Sequence, residues 1–177
     1  FFGISNSGIL ITRPFAPSIT NTYAYLKNFI FRLLLDRFSS KDKLTKYLKN
    51  MVKEEKPSVL PAMHDILKDI ENIDKESSKD VQELLSIIKP KIIVNFAEGP
   101  EDLDIYGELE ELIKKNLRIK VECLGTIFND DQIEETLAGM EPVFSQARES
   151  IAFQQIERIA QKILQSENFP ELPLDLN

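Results

Sequence analysis

Short apolar, β-branched runs alternate along this chain with longer stretches whose apolar positions recur every three or four residues. Gly8-Ile-Leu-Ile-Thr12 is the first short run; Pro14 and Pro17 end it, and it predicts a buried strand. The helix after it, with Ser18 or Thr20 as cap, carries Tyr23, Leu26, Ile30, Leu33 and Leu34. Three amphipathic stretches then follow with no strand between them. The first, 41–56, sets Leu44, Tyr47, Leu48, Met51 and Val52 on one face before Pro57. Pro61 opens the second, with Met63, Ile66, Leu67 and Ile70 as its stripe. The third, 77–89, shows Val81, Leu84, Leu85 and Ile88 before Pro90. Together they predict a helical insert at about 38–89.

Alternation resumes after Pro90. Residues 91–95 predict a second strand, and 100 to about 116 a helix with Leu103, Tyr106, Leu109 and Ile113. Residues 119–127 predict a third strand that bends near Gly125. Asp130 opens a short helix around Ile133 and Leu137, which Gly139 closes. Glu141-Pro-Val-Phe144 reads as a connector, and 147–165 as a last helix with Ala152, Ile156, Ile159, Ala160, Ile163 and Leu164 inward. The tail from Phe169 is expected to fray.

Strands joined by helices predict parallel pairing, because parallel neighbours need crossovers. The expected fold is therefore α/β, a partial doubly wound parallel sheet of about three strands with an α-helical insert. Three such strands alone leave both edges open and one face partly bare. Further strands are expected beside the first one, in an upstream segment, and the Phe1-Phe2 opening reads as a chain entered midway.

Composition narrows the function classes. The 177 residues are 42% hydrophobic, enough for a core, and carry a formal net charge of −7. The acidity is local: 96–141 holds thirteen Asp and Glu against four Lys and Arg, whereas 41–89 holds ten of each sign. An acidic surface repels phosphate backbones, so no direct nucleic-acid binding is expected. The single cysteine, Cys123, allows no internal disulfide and reads as a core thiol in a reducing, cytoplasmic setting. His64 is the single histidine, which removes His-based metal sites and Ser-His-Asp triads; it reads as a surface residue. No segment is apolar and long enough to span a bilayer, no signal peptide is visible, and the last helix lacks the basic, bulky-apolar character of a membrane anchor.

Four strings carry a family resemblance. Ile11-Thr-Arg-Pro-Phe-Ala-Pro-Ser-Ile-Thr-Asn-Thr-Tyr-Ala24 resembles the post-switch strand and helix of MinD/ParA-type P-loop ATPases, most of all the FlhG-like and MinD-like branch. Pro14, Ser18, Ile19, Thr20, Tyr23 and Ala24 match that branch's string. The helical insert followed by a Val-Asn strand end resembles a MinD-like subgroup with extra helices there. Leu124-Gly-Thr-Ile-Phe-Asn-Asp-Asp-Gln-Ile133 is similar to the family's LGxIPYDxxV segment, and Glu141-Pro-Val143 falls where its connector lies.

The resemblance makes the chain the C-terminal part, over 1–177, of one P-loop NTPase-like domain. It implies that the base of ATP lies between Asn95 and the loop of Phe128 and Asp130. An Asn amide offers a donor and an acceptor to an adenine edge, and a carboxylate accepts from an exocyclic amine. Phe128 stands where the family has proline, and Asn95-Phe96 where it has Asn-Gln or Asn-Arg; the Phe128 ring can stack on a base or fill core. The catalytic half is missing: the six glycines are scattered, and none precedes Lys-Ser or Lys-Thr. ATP and magnesium then belong to a parent protein, together with a missing N-terminal half and an ATP-dependent homodimer. This chain is not expected to hydrolyse ATP by itself, and its insert would meet a protein partner. The expected function is the adenine pocket and partner surface of a regulator of flagellar or division positioning. The alternative is a stand-alone interaction module with a degenerate nucleotide pocket.

Overall fold

A run that is apolar at successive positions suits a strand covered on both faces, and β2 (Lys91–Ala97) is that strand, with its first four residues buried. The computed structural model, which describes residues 8–54, 62–139 and 149–166, sets β2 at the centre of a parallel sheet ordered β1-β2-β3. β1 (Ile9–Thr12) pairs from Ile9 opposite Lys91 to Thr12 opposite Val94. β3 (Glu122–Phe128) runs along the other side and slips register twice, after Ile92 and after Asn95. The third strand was expected from Ile119. It starts later because β2 begins at Lys91, after Pro90, so earlier residues have no ladder to join. Ile119 and Val121 are buried in the connection instead.

α1 (Ala16–Arg37) returns along one face of the sheet. Neither predicted cap holds its N-terminus: the helix starts at Ala16 with extended Phe15 before it and no side-chain cap. Pro17 accounts for the earlier start, because the N–H it lacks is one the first turn leaves unpaired. Thr20 Oγ1 donates back to the Ala16 carbonyl at 2.9 Å. Near the strand end, the buried Thr22 hydroxyl donates to Thr12 Oγ1 at 3.0 Å, which ties helix to strand.

The insert is three helices: α2 (Asp42–Glu54), α3 (Met63–Ile73) and α4 (Lys75–Ile87). Pro57, read as ending the first helix, and Pro61, read as opening the second, lie outside the described residues. α4 starts two residues before its expected position because Asp74 caps it. The Asp74 carboxylate accepts from Glu76 N–H at 3.1 Å, the Ser77 hydroxyl at 2.6 Å and the Lys41 ammonium at 2.8 Å. The Lys41 and Ser77 hydrogen bonds hold its pKa well below the usual carboxylate range, and the same bond raises that of Lys41.

α5 (Asp104–Leu117) follows a 3-10 turn, Pro100–Leu103, and ends at Arg118 in a left-handed conformation (φ 56°). One continuous core joins these elements: Leu26, Ile30 and Leu34 of α1, Leu44 and Leu48 of α2, Ile66 and Ile70 of α3, Leu85 of α4, and Leu109 and Ile113 of α5 pack with Ile92. The insert therefore shares the core of the sheet.

Successive strand residues face opposite ways, so Ile93 looks away from that core. There it meets α7 (Ile151–Ser166) in a small cluster of Ile93, Leu124 and Ile159, with Ile127 and Ile163 beside it. Gly125 lets the helix approach: a Cβ there would lie 2.8 Å from Ile159 Cγ1. Lys162 Nζ donates to the Leu124 carbonyl at 2.7 Å, at the bulge between the two register-paired residues Cys123 and Gly125. Of the residues expected inward on this helix, Ala152, Ile159 and Ile163 are covered; Ile156, Ala160 and Leu164 are exposed. One ridge of α7 suffices to cover the strip that β2 and β3 offer, so the second stripe faces solvent. Ile9 and Ile11 of β1 are also exposed on this side, Ile11 at 66%. The connector at Glu141 and Val143 lies outside the described residues, as does Ala147. No helix among the described residues is long and apolar enough to cross a membrane.

Candidate functional site

In an open parallel sheet, ligands meet the carboxyl ends of the strands. Here three turns converge there: Arg13-Pro14-Phe15 after β1, Asn95-Phe96-Ala97 ending β2, and Phe128-Asn129-Asp130 after β3. Asn129 N–H donates to the Ala97 carbonyl at 2.8 Å and stitches the last two together.

The end of β2 is irregular. Asn95 pairs with Ile127 and Ala97 with Phe128, so Phe96 is an extra residue, and its φ is 62°. The Asn95 Oδ1 accepts from Phe96 N–H at 3.0 Å and fixes the bulge. The Asn95 Nδ2 has no hydrogen-bond partner among the described residues. A left-handed conformation costs a residue with a side chain about 1–2 kcal/mol. Partial burial offsets part of that cost, since Phe96 is 41% exposed. Its ring carries the Arg13 guanidinium at 4.5 Å from the centroid. At an exposed site such a contact returns about 0.5–1 kcal/mol, less than the backbone term. Arg13 also lies 5.9 Å from the Phe15 ring and makes no ion pair among the described residues. Arg13, Phe15, Phe96, Glu98 and Asp102 line an open cavity of about 380 Å3. Asp102 Oδ2 accepts from Glu98 N–H at 2.7 Å, which ties the two acidic lining residues together.

Of the three residues expected to hold a base, Asn95 stands at the end of β2 with a free amide donor. Phe128 is half-buried, and its N–H donates to Gln155 Oε1 at 2.9 Å. Asp130 carries a structural duty: Oδ1 accepts from Gln132 N–H at 3.1 Å and Oδ2 from Ala152 N–H at 3.0 Å. One carboxylate thereby caps α6 (Asp131–Ala138) and α7. Each oxygen keeps a second lone pair for an outside donor. A second cavity of about 370 Å3 opens beside it, between Asn129 and Ile151.

Arg13 and Phe15 were not expected as site residues. A signal existed in Arg13, a lone cation immediately after a strand. Phe96 drew notice only as a departure from a motif, and its φ cannot be read from residue type. A larger cavity, about 490 Å3, lies on the flank of α1 among Tyr25, Phe29, Arg32 and Asp36, away from the strand ends.

The remaining candidates sit apart from this edge. His64 is exposed and lies 3.3 Å from Asp65. Cys123 is half-buried, and burial raises its thiol pKa. Among the described residues no three His, Cys, Asp or Glu side chains gather to hold a metal ion, and no glycine adopts a positive φ that would shape a phosphate cradle. No protein-family model matches the chain, and no curated protein matches it.

Proposed function

We propose that this chain supplies the adenine-binding part of a MinD/ParA-type, FlhG-like ATP-binding regulator of cellular positioning, working in the cytoplasm as part of a homodimeric P-loop NTPase. The observation that carries this reading is the adjacency of the Asn95-Phe96 turn and the Phe128–Asp130 loop (128–130) at the carboxyl edge, joined through Asn129 and Ala97. Asn95 contributes an amide donor to the edge of the base, and the second lone pairs of Asp130 can accept from its exocyclic amine. Hydrolysis is not assigned to this chain; triphosphate and magnesium belong, in this reading, to the parent protein.

Isothermal titration of the chain with adenosine, ATP and GTP tests the proposal. A base-only site binds adenosine and ATP within about threefold of each other, at roughly millimolar Kd or tighter, and binds GTP more weakly. Asn95→Ala weakens both adenine ligands. Equal binding of GTP and ATP, or no binding of either adenine compound, overturns the proposal.

One observation favours the second reading, an interaction module with a degenerate pocket: both oxygens of Asp130 already accept from helix N-termini. Its partner surface would be the insert, where Ile73 and Ile87 are exposed at the ends of α3 and α4.

A further inference from the structure

We infer that Phe96 and Arg13 form a stacking wall for the heterocycle, a contact distinct from Asn95 and the 128–130 loop. This rests on the adenine-binding reading above.

Three independent observations meet at one place. Phe96 is a bulky residue held at φ 62° in a bulge that its neighbour Asn95 fixes by hydrogen bond. Such placements persist where surrounding structure enforces them, and they cluster at ligand sites. The left-handed conformation goes with the bulge that inserts Phe96 between the paired residues Asn95 and Ala97 and turns its ring to the carboxyl edge. Second, the ring carries a planar guanidinium at 4.5 Å, and Arg13 has no competing carboxylate contact among the described residues. A guanidinium held this way is a rigid plate, and nucleobases stack on phenyl and guanidinium planes alike. Third, both groups line a cavity of about 380 Å3, inside the roughly 300–1,000 Å3 range of small-molecule sites.

The rim selects the ligand class. Glu98 and Asp102 add two carboxylates to the lining that Arg13 shares, which disfavours a bare anion and favours a neutral planar ring bearing amine donors. A purine with an exocyclic amine fits that description.

Phe96→Gly is the decisive variant, because glycine adopts the left-handed conformation freely and removes the ring. The wall predicts that Phe96→Gly binds adenosine about tenfold or more weakly than the natural chain. Phe96→Trp keeps a ring and is expected to bind within a few-fold of the natural chain. Arg13→Gln, at an exposed position, weakens adenosine binding by a smaller factor without lowering the melting temperature. A Phe96→Gly protein that binds adenosine normally overturns the wall and leaves the adenine reading standing. If the natural chain binds no adenine compound, both inferences fall.

Discussion

The two faces of the sheet are built to different depths. On one, α1, α5 and the three insert helices lay down a continuous core with Leu26, Ile30, Leu34, Ile66, Leu109 and Ile113 fully buried. On the other, one helix covers a cluster of Ile93, Leu124 and Ile159, and the β1 side chains Ile9 and Ile11 remain exposed. The thick face can absorb sequence change through many neighbours. The thin face depends on close approach at a few points, namely Gly125 against Ile159 and Lys162 on the Leu124 carbonyl. The carboxyl edge, where both faces end, holds the strained and exposed aromatic residues.

The largest expected effect is on the thick face. Ile113→Ala leaves a void among many packed neighbours and is expected to cost about 3–5 kcal/mol in urea unfolding, against about 2 kcal/mol for Ile159→Ala. Equal losses would erase the contrast between the faces. Gly125→Ala comes next, at about 1–3 kcal/mol, because its methyl meets the Ile159 side chain. Combined with Ile159→Ala, the losses are expected to sum to less than their separate values, since the smaller residue makes room. Strict additivity in that cycle would show that the helix moves away instead.

Tyr106 sharpens the comparison from the seam between α5 and β3. Its hydroxyl donates to the Val121 carbonyl at 3.2 Å, and burial, with help from Glu110, pushes its pKa up to about 12 from 10.0. A raised tyrosine pKa means stability is full below pH 10 and falls as pH climbs towards about 12. Tyr106→Phe is expected to cost about 1 kcal/mol at neutral pH and to flatten that alkaline decline. The smallest effect belongs to Asp74, at the solvent edge of the insert. Its pKa is lowered, so its contribution is present above the ordinary value of 3.8 and fades as pH drops below it. Asp74→Asn retains a capping side chain but loses the charge paired with Lys41. It is expected to lower the melting temperature slightly at pH 7 and to match the natural chain in strong acid.

Much of the thick face was legible in the sequence, because helical periodicity reports directly which side chains a core will take. Leu44, Leu48, Met63, Ile66, Ile70, Val81 and Leu85 were read as inward stripes and are buried. The thin face was harder. In α7 the apolar stripe is wider than the surface it covers, so Ile156 and Leu164 satisfied the pattern and still face solvent. Local chemistry misled at the start of α1, where two hydroxyl residues looked like caps but Pro17 allowed an earlier start. At the site, Asn95 was legible as a polar end to an apolar strand. Phe96 was not, since a bulge arises from register between two strands and leaves no mark on either alone.

Asp130 has a consequence that reaches beyond ligand contact. One carboxylate satisfies backbone donors at the starts of two helices, so a displacement that frees it from one can free it from both. α6 and α7 are thereby joined in a single local opening unit rather than fraying separately. The thinly covered face and the crevice edge are thereby tied to one carboxylate.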